Sequence, residues 1–257
     1  MIELKSPREI GLMRRGGRIL AEVVERLRAS VKPGMSTLDI DEDVEGFIRT
    51  RGAKPAFKGY RGFPATVCVS INEEVVHGIP SAHRRVKEGD IVGLDLGCIV
   101  EGYYADCAIT LAVGEIPDRV QALLDATRDS LDAGIAECRP GRRLSDVSHA
   151  IQSHVERRGF SVVRAFVGHG IGRALHEEPQ VPNFGDPGRG PQLRPGMVLA
   201  IEPMVTMGSW EVRILDDGWT AVTKDGSLAA HFEHTIAVTE SGPEVLTSKS
   251  GGSTPAA

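Results

Sequence analysis

No run of about 18 apolar residues occurs anywhere in the chain, which excludes a transmembrane helix of the usual kind. The opening MIELKSPREIGLMRRGG lacks the apolar stretch of a secretory leader. Positive charge is not in excess. Formal net charge is −5 and the pI about 5.9, so there is no electrostatic case for nucleic acid or an anionic membrane as main partner. The four cysteines (Cys68, Cys98, Cys107, Cys138) show no C-x-x-C spacing. They read as free thiols of a reducing cytoplasm rather than a disulfide framework or a zinc site. The most informative absence is local: no Lys or Arg lies between Lys87 and Arg119. That segment holds IVGLDLG, a nearly continuous apolar run with Asp95 inside it, followed by Asp106. A carboxylate in a buried strand is costly without a positive partner. Either a metal ion supplies that charge, or both aspartates sit on a solvated rim.

The 257 residues are 41% hydrophobic, enough for a sizeable core in one large domain or two small ones. Ser6-Pro7-Arg8-Glu9 is a capped helix start, and Ile10, Met13, Leu20, Val23, Val24 and Leu27 keep helical spacing behind it. Lys32-Pro33-Gly34 ends that helix. Ser36 or Thr37 caps a second, which stops at Gly52. A loop rich in Gly, Pro and aromatics follows, then a strand-like TVCVSIN and His77, and later an amphipathic helix over Asp118–Ala136.

The chain then repeats itself. Arg139-Pro140-Gly141 matches Lys32-Pro33-Gly34, Ile151 matches Val44, and KEGDIVGLD aligns with RPGMVLAIE, all at an offset of 107 residues. Asp95 thereby falls on Glu202. DCAITLAV from Asp106 resembles EHTIAVT from Glu233 at an offset of 127, the difference being an insert with Trp210 and Trp219. These matches predict two halves related by an internal pseudo-twofold. We expect a single domain over 1–257, pseudo-repeats of about 4–115 and 116–247, and a flexible tail at 248–257. The fold class expected is α+β: one curved antiparallel sheet backed by helices, four acids converging on its open face.

Four convergent carboxylates would repel one another unless two divalent cations offset them. His169, between two glycines in FVGHGIGRALHEEPQVP, adds an imidazole, and His176 follows it. An oxygen-rich set with one imidazole suits Mn, Fe(II) or Co, with Zn or Mg less favoured. Such a pair of ions supports hydrolysis of an amide, ester or phosphoester. Only Arg173 lies near these residues in sequence to hold a phosphate, whereas His77 and His176 suit the leaving nitrogen and the developing oxyanion of an amide.

At this point VCVSINEEVVHGIP, GDIVGLDLG, GYYADCAIT, VGHGIGRALHEEPQVPN, LRPGMVLAIEPMV and FEHTIAVT together resemble the type I methionine aminopeptidases, over about residues 4–248. The resemblance implies the pita-bread fold and removal of the initiator methionine of nascent polypeptides when the second residue is small. It implies that Asp95 chelates one metal, that His169 and Glu202 bind the other, and that Asp106 and Glu233 bridge the pair. His77 would contact the scissile amide nitrogen, His176 its carbonyl oxygen, and Glu202 would shuttle the proton of the attacking water. The methionine pocket would map to Tyr60, Phe63, Cys68, Leu175 and Trp219, with Leu175 and Phe57 departing from residues common in relatives. A monovalent cation near Asn72, transient ribosome association, a monomeric state and a cytoplasmic location complete what it implies, with no nucleic acid or membrane partner. A non-catalytic binding protein on the same scaffold, or a proline-specific peptidase, are the alternatives.

Overall fold

The computed structural model describes residues 2–249; of the expected tail, residues 250–257 lie outside the described residues. Four helices form, the first three where caps or apolar spacing place them: α1 (Pro7–Ser30), α2 (Thr37–Thr50), α3 (Asp118–Ala136) and α4 (Leu144–Arg157). Ser6 and Glu9 close a capping box on α1, and Ser36 and Asp39 do the same for α2. None of the helices described is long and apolar enough to cross a membrane.

All four pack on one face of a nine-stranded antiparallel sheet. Its central order is the Asp95 strand (Ile91–Val100), the Asp106 strand (Tyr103–Ala112), the Glu233 strand (Glu233–Thr239), then Val198–Ile201, Gly168–Gly170 and Glu177–Val181. Strand side chains alternate between faces. Leu94, Leu96 and Cys98 therefore point into the helices, joining Leu20, Leu27, Ile40, Ile48, Leu131 and Ile151 in one core cluster. Asp95 and Gly97 point to the other face. Each fully buried Leu or Ile of that core stabilises the fold by roughly 1.5–3 kcal/mol, which ties the sheet firmly to its helical backing and leaves the opposite face free for chemistry.

The pseudo-twofold is visible in the backbone. Gly34 and Gly141 share φ of 91° and 89°, Gly52 and Gly159 share 73° and 75°, and Gly89 and Gly196 share 83° and 92°. These are left-handed turns that a Cβ disfavours, which is why glycine stands at both copies. The isolated bridges Ser36↔Arg85 and Arg143↔Gln192 also differ by the same 107 residues.

Register refines the relation between the inner strands. Asp95 pairs with Ala108, whereas Ile201 pairs with His234, which sets the counterpart of Asp95, Glu202, opposite Glu233. Ala108 is thus the structural twin of Glu233, and Asp106 that of His231, an offset of 125 rather than the 127 of the sequence match. A reciprocal clamp marks the same axis. Thr235 Oγ1 accepts from Asp106 N–H at 3.0 Å and donates to Asp106 C=O at 2.8 Å. Thr110 Oγ1 accepts from His231 N–H at 2.9 Å and donates to His231 C=O at 2.8 Å. By the same reading Ser70, paired with Gly93, is the twin of His169, paired with Ala200. The insert forms an antiparallel pair, Val212–Ile214 with Ala221–Thr223, whose inner strand joins Glu74–Val76 of the first half and roofs the open face.

Candidate metal centre and its pocket

The Asp95 and Asp106 strands form the hairpin that carries the first two acids. Asp106 lies opposite Gly97 and Asp95 opposite Ala108, so the two carboxylates are diagonal neighbours on one face rather than direct partners. The residue facing Asp106 has to be small: a Cβ on Gly97 would meet the Phe57 ring at 2.8 Å. Glu233 opens the next strand and pairs with Ala108, which brings it beside Asp106. His169 enters from the short Gly168–Gly170 strand, and Glu202 from the residue after Ile201.

The result is a compact cluster. Asp106, His169 and Glu233 each offer a ligand atom within 4.8 Å of the others. His169 Nε2 lies 3.4 Å from Glu202 Oε1 and 4.0 Å from Asp106 Oδ2. On the other edge of its ring, Nδ1 lies 2.9 Å from Gly170 C=O. A carbonyl only accepts, so Nδ1 carries the proton and the Nε2 lone pair faces the carboxylates.

Electrostatics make this cluster expensive on its own. Burial pushes the Asp95 carboxyl up to about 7. Burial, followed by the neighbouring carboxylates, pushes Asp106, Glu202 and Glu233 well above their ordinary range. Burial first, then the His176 ring, lowers His169 to about 4, so its imidazole is neutral near pH 7. Asp95 Oδ1, Asp106 Oδ1 and Glu233 Oε1 are buried without a hydrogen-bond partner. Unpartnered buried carboxylate oxygens are rare unless an ion satisfies them. Crowded acids, orphaned oxygens and a neutral nitrogen donor are the donor set that hard divalent cations require.

Above the cluster is a cavity of about 180 Å³. Every residue that the sequence assigned to metal, catalysis or the methionine pocket lines it, and Phe57 and Arg61 line it as well. Phe63 and Trp219 meet edge to face at 5.1 Å, and Cys68 and Leu175 are buried against them. Trp210, the insert's other tryptophan, is 40% exposed and stacks under Arg164 instead.

The two remaining histidines differ. His176 stacks on Tyr60 with ring centres 5.5 Å apart, and its Nδ1 lies 2.8 Å from the Tyr60 hydroxyl. With the phenol donating, Nδ1 accepts and Nε2 carries the proton. Its ring is 4.3 Å from that of His169. His77 sits at φ 63°, in the left-handed region, and is held edge to face by Phe166 at 5.4 Å and Trp219 at 6.2 Å. Burial, then His176, lowers His77 to about 4, and burial, then Arg61, lowers His176. Both rings are therefore neutral at pH 7.

Arg173 is not the pocket's cation. It pairs with Glu9 at 3.6 Å and lies over the Tyr103 ring, lining a separate cavity. The guanidinium at the pocket is Arg61, which no spacing or motif in the chain singles out. Phe166 and His231 were missed for the same reason: their roles arise from strand pairing between distant segments.

Residues 11–240 match the model of metallopeptidase family M24. The chain is 55% identical over 247 residues to methionine aminopeptidase 1 of Bacillus subtilis, covering 96% of this chain and 99% of that one. It superposes with a TM-score of 0.95 on the crystal structure of methionine aminopeptidase from Thermotoga maritima, at 50% identity and with 96% and 100% of the two chains covered. A prolidase from Pyrococcus furiosus aligns at a TM-score of 0.78 and 21% identity over 95% of this chain and 65% of that one, a likeness of fold alone. The curved sheet backed by four helices is the pita-bread fold these structures share. The chain belongs to metallopeptidase family M24 and, within it, to the methionine aminopeptidases.

Proposed function

We propose that the chain removes the initiator methionine from nascent polypeptides whose second residue is small, in the cytoplasm and beside the ribosome. The observation that carries this reading is the placement of a cation-requiring cluster at the floor of an apolar, aromatic-walled pocket. Two divalent cations fit the donor set: Asp95 would chelate one, His169 and Glu202 the other, with Asp106 and Glu233 shared between them. When bound, such ions polarise a carbonyl and make water acidic enough to attack near neutral pH.

The chain's own residues supply the rest. Phe57, Phe63, Cys68, Leu175 and Trp219 enclose an unbranched thioether side chain, which packs well on aromatic edges. His176 Nε2–H donates to the scissile carbonyl oxygen, and Tyr60 fixes the tautomer that makes this possible. His77, neutral and wedged between Phe166 and Trp219, meets the amide nitrogen. Glu202 takes the proton of the attacking water, a task suited to a carboxylate whose basicity burial has raised.

The test is methionine release from Met-Ala-Ser and Met-Lys-Ser peptides by protein loaded with Mn, Fe(II) or Co. Cleavage of the first with the second left largely intact is expected. No release with any of the three ions overturns the reading.

A further inference from the structure

Arg61 has no task in the reaction as described, yet it lines the catalytic pocket. Its backbone sits at φ 49°, a left-handed conformation that costs a side-chain-bearing residue energy and directs it away from the regular path of the loop. Its guanidinium lies 5.4 Å from the Tyr60 ring centre, over the phenol that bonds His176. Other cations nearby are already engaged. Lys58 is held by Glu45 at 2.6 Å and Arg173 by Glu9 at 3.6 Å. Among the described residues Arg61 has no ion pair, and its side chain is exposed. An exposed, unpaired guanidinium stacked on a ring at the mouth of an acidic pocket is a ready partner for a carboxylate.

Topology says where that carboxylate would come from. The methionine side chain goes inward to the aromatic wall, and the scissile carbonyl meets His176. On this placement the remaining peptide would leave past the Tyr60–His176 pair, beside which Arg61 stands. An extended peptide advances about 3.4 Å per residue, so the residues just beyond the second pass within reach of an arginine. Resting on the aminopeptidase reading, we propose that Arg61 forms an anion-preferring subsite for the downstream peptide, favouring substrates with Asp or Glu at the third or fourth position. The same subsite accepts the terminal carboxylate of a tripeptide.

The experiment measures kcat/KM on C-terminally amidated Met-Ala-Ala-Xaa-Ala and Met-Ala-Xaa-Ala-Ala peptides with Xaa as Glu, Gln or Lys, using the metal-loaded enzyme. Amidation leaves the side chain as the only downstream charge. The Glu-over-Lys ratio is read within each protein, so differences in active fraction cancel. The wild type is expected to prefer Glu by about threefold to fivefold in at least one series, the scale of an exposed charge pair. That preference should collapse near 1 M salt, where the screening length is about 3 Å. Arg61→Asn, tolerated in the left-handed region, should bring the ratio to about 1, while Arg61→Lys keeps it. A wild-type ratio near 1 in both series overturns the inference, as does an unchanged ratio in Arg61→Asn or one lost equally in Arg61→Lys. Absence of methionine release from every peptide overturns the aminopeptidase reading itself and this inference with it.

Discussion

The two halves of the molecule share a backbone and divide the chemistry unequally. Asp95 and Glu202 are true equivalents, acids at matching register positions of the two halves. The other equivalences break down: Ser70 stands where the second half has His169, Ala108 where it has Glu233, and His231 where the first half has Asp106. Apart from that one pair, the cluster is built from non-equivalent positions of a symmetric frame. One half lends two carboxylates and His77; the other lends two carboxylates, the imidazole at the cluster and His176. The duplicated strands provide a rigid concave face, and departures from symmetry make one side of it differ from the other.

The sharpest way to break this comparison is through its one true pair. Asp95→Asn and Glu202→Gln each remove one charge from equivalent positions. If position alone mattered, they would cost the same. On the proposal that Glu202 also handles a proton, Glu202→Gln should lower kcat further than Asp95→Asn by about 10²-fold or more, within the range of a lost general base. Steady-state kinetics at saturating Mn decides this, and equal losses would remove the proton-handling role. Next comes His176, which has no task at the cluster itself. His176→Ala should lower kcat by about 10²–10³, as for a lost oxyanion donor, with metal stoichiometry unchanged. Normal turnover would refute that role.

His169→Ser installs the residue of the first half's equivalent position. Affinity for one ion should fall more than the ~10–100-fold typical of losing only a supporting partner. Titration calorimetry with Mn would reveal it, and retention of two equal sites would show that the imidazole is dispensable.

A subtler effect concerns metal-free protein. Asp95 rises from its ordinary 3.8 to about 7 because of burial, so the folded state holds this proton more tightly than the unfolded chain. Its contribution is fully present below the unfolded value and is lost as pH rises through the folded one. Metal-free Asp95→Asn should thus gain stability relative to the wild type between about pH 4 and 7. Urea unfolding across that range tests it: a flat difference argues that the carboxyl titrates normally. Divalent ions should reverse the order, since the aspartate then has a partner.

The smallest effect lies at the helix starts. Ser36 caps α2, but its equivalent Arg143 at the start of α4 has no side-chain oxygen to offer. Ser36→Ala should cost about 1 kcal/mol, and Arg143→Ser should gain a similar or smaller amount. Thermal unfolding of the two variants would compare them directly.

Much of this was legible in the sequence because it is local or periodic. Helix bounds followed from caps and apolar spacing, down to Asp118–Ala136 as written. The 107-residue offset by itself brings Asp95 and Glu202 together. What sequence could not carry was register. A two-residue slip between the inner strands turns Asp106 from the twin of Glu233 into the twin of His231, and side-chain likeness alone favours the wrong alignment. Arg61 stayed hidden because its place depends on a left-handed residue in an irregular loop. Arg173 is the one arginine between His169 and His176 in the chain, yet the bend after Gly172 carries it outward to Glu9.

The threonine clamp has a consequence for how the protein comes into being. Thr235 belongs to the second half but grips the main chain of Asp106; Thr110 belongs to the first and grips that of His231. Neither half can set its own inner strand without the other. A chain still being synthesised has both aspartates in hand long before Thr235 and Glu233 exist to set them in place. Since each clamp joins residues more than 120 positions apart, closing it waits on a long loop. The catalytic centre is therefore among the last features the folding chain can assemble, and a truncated chain is expected to carry its acids without ever acquiring a working protease.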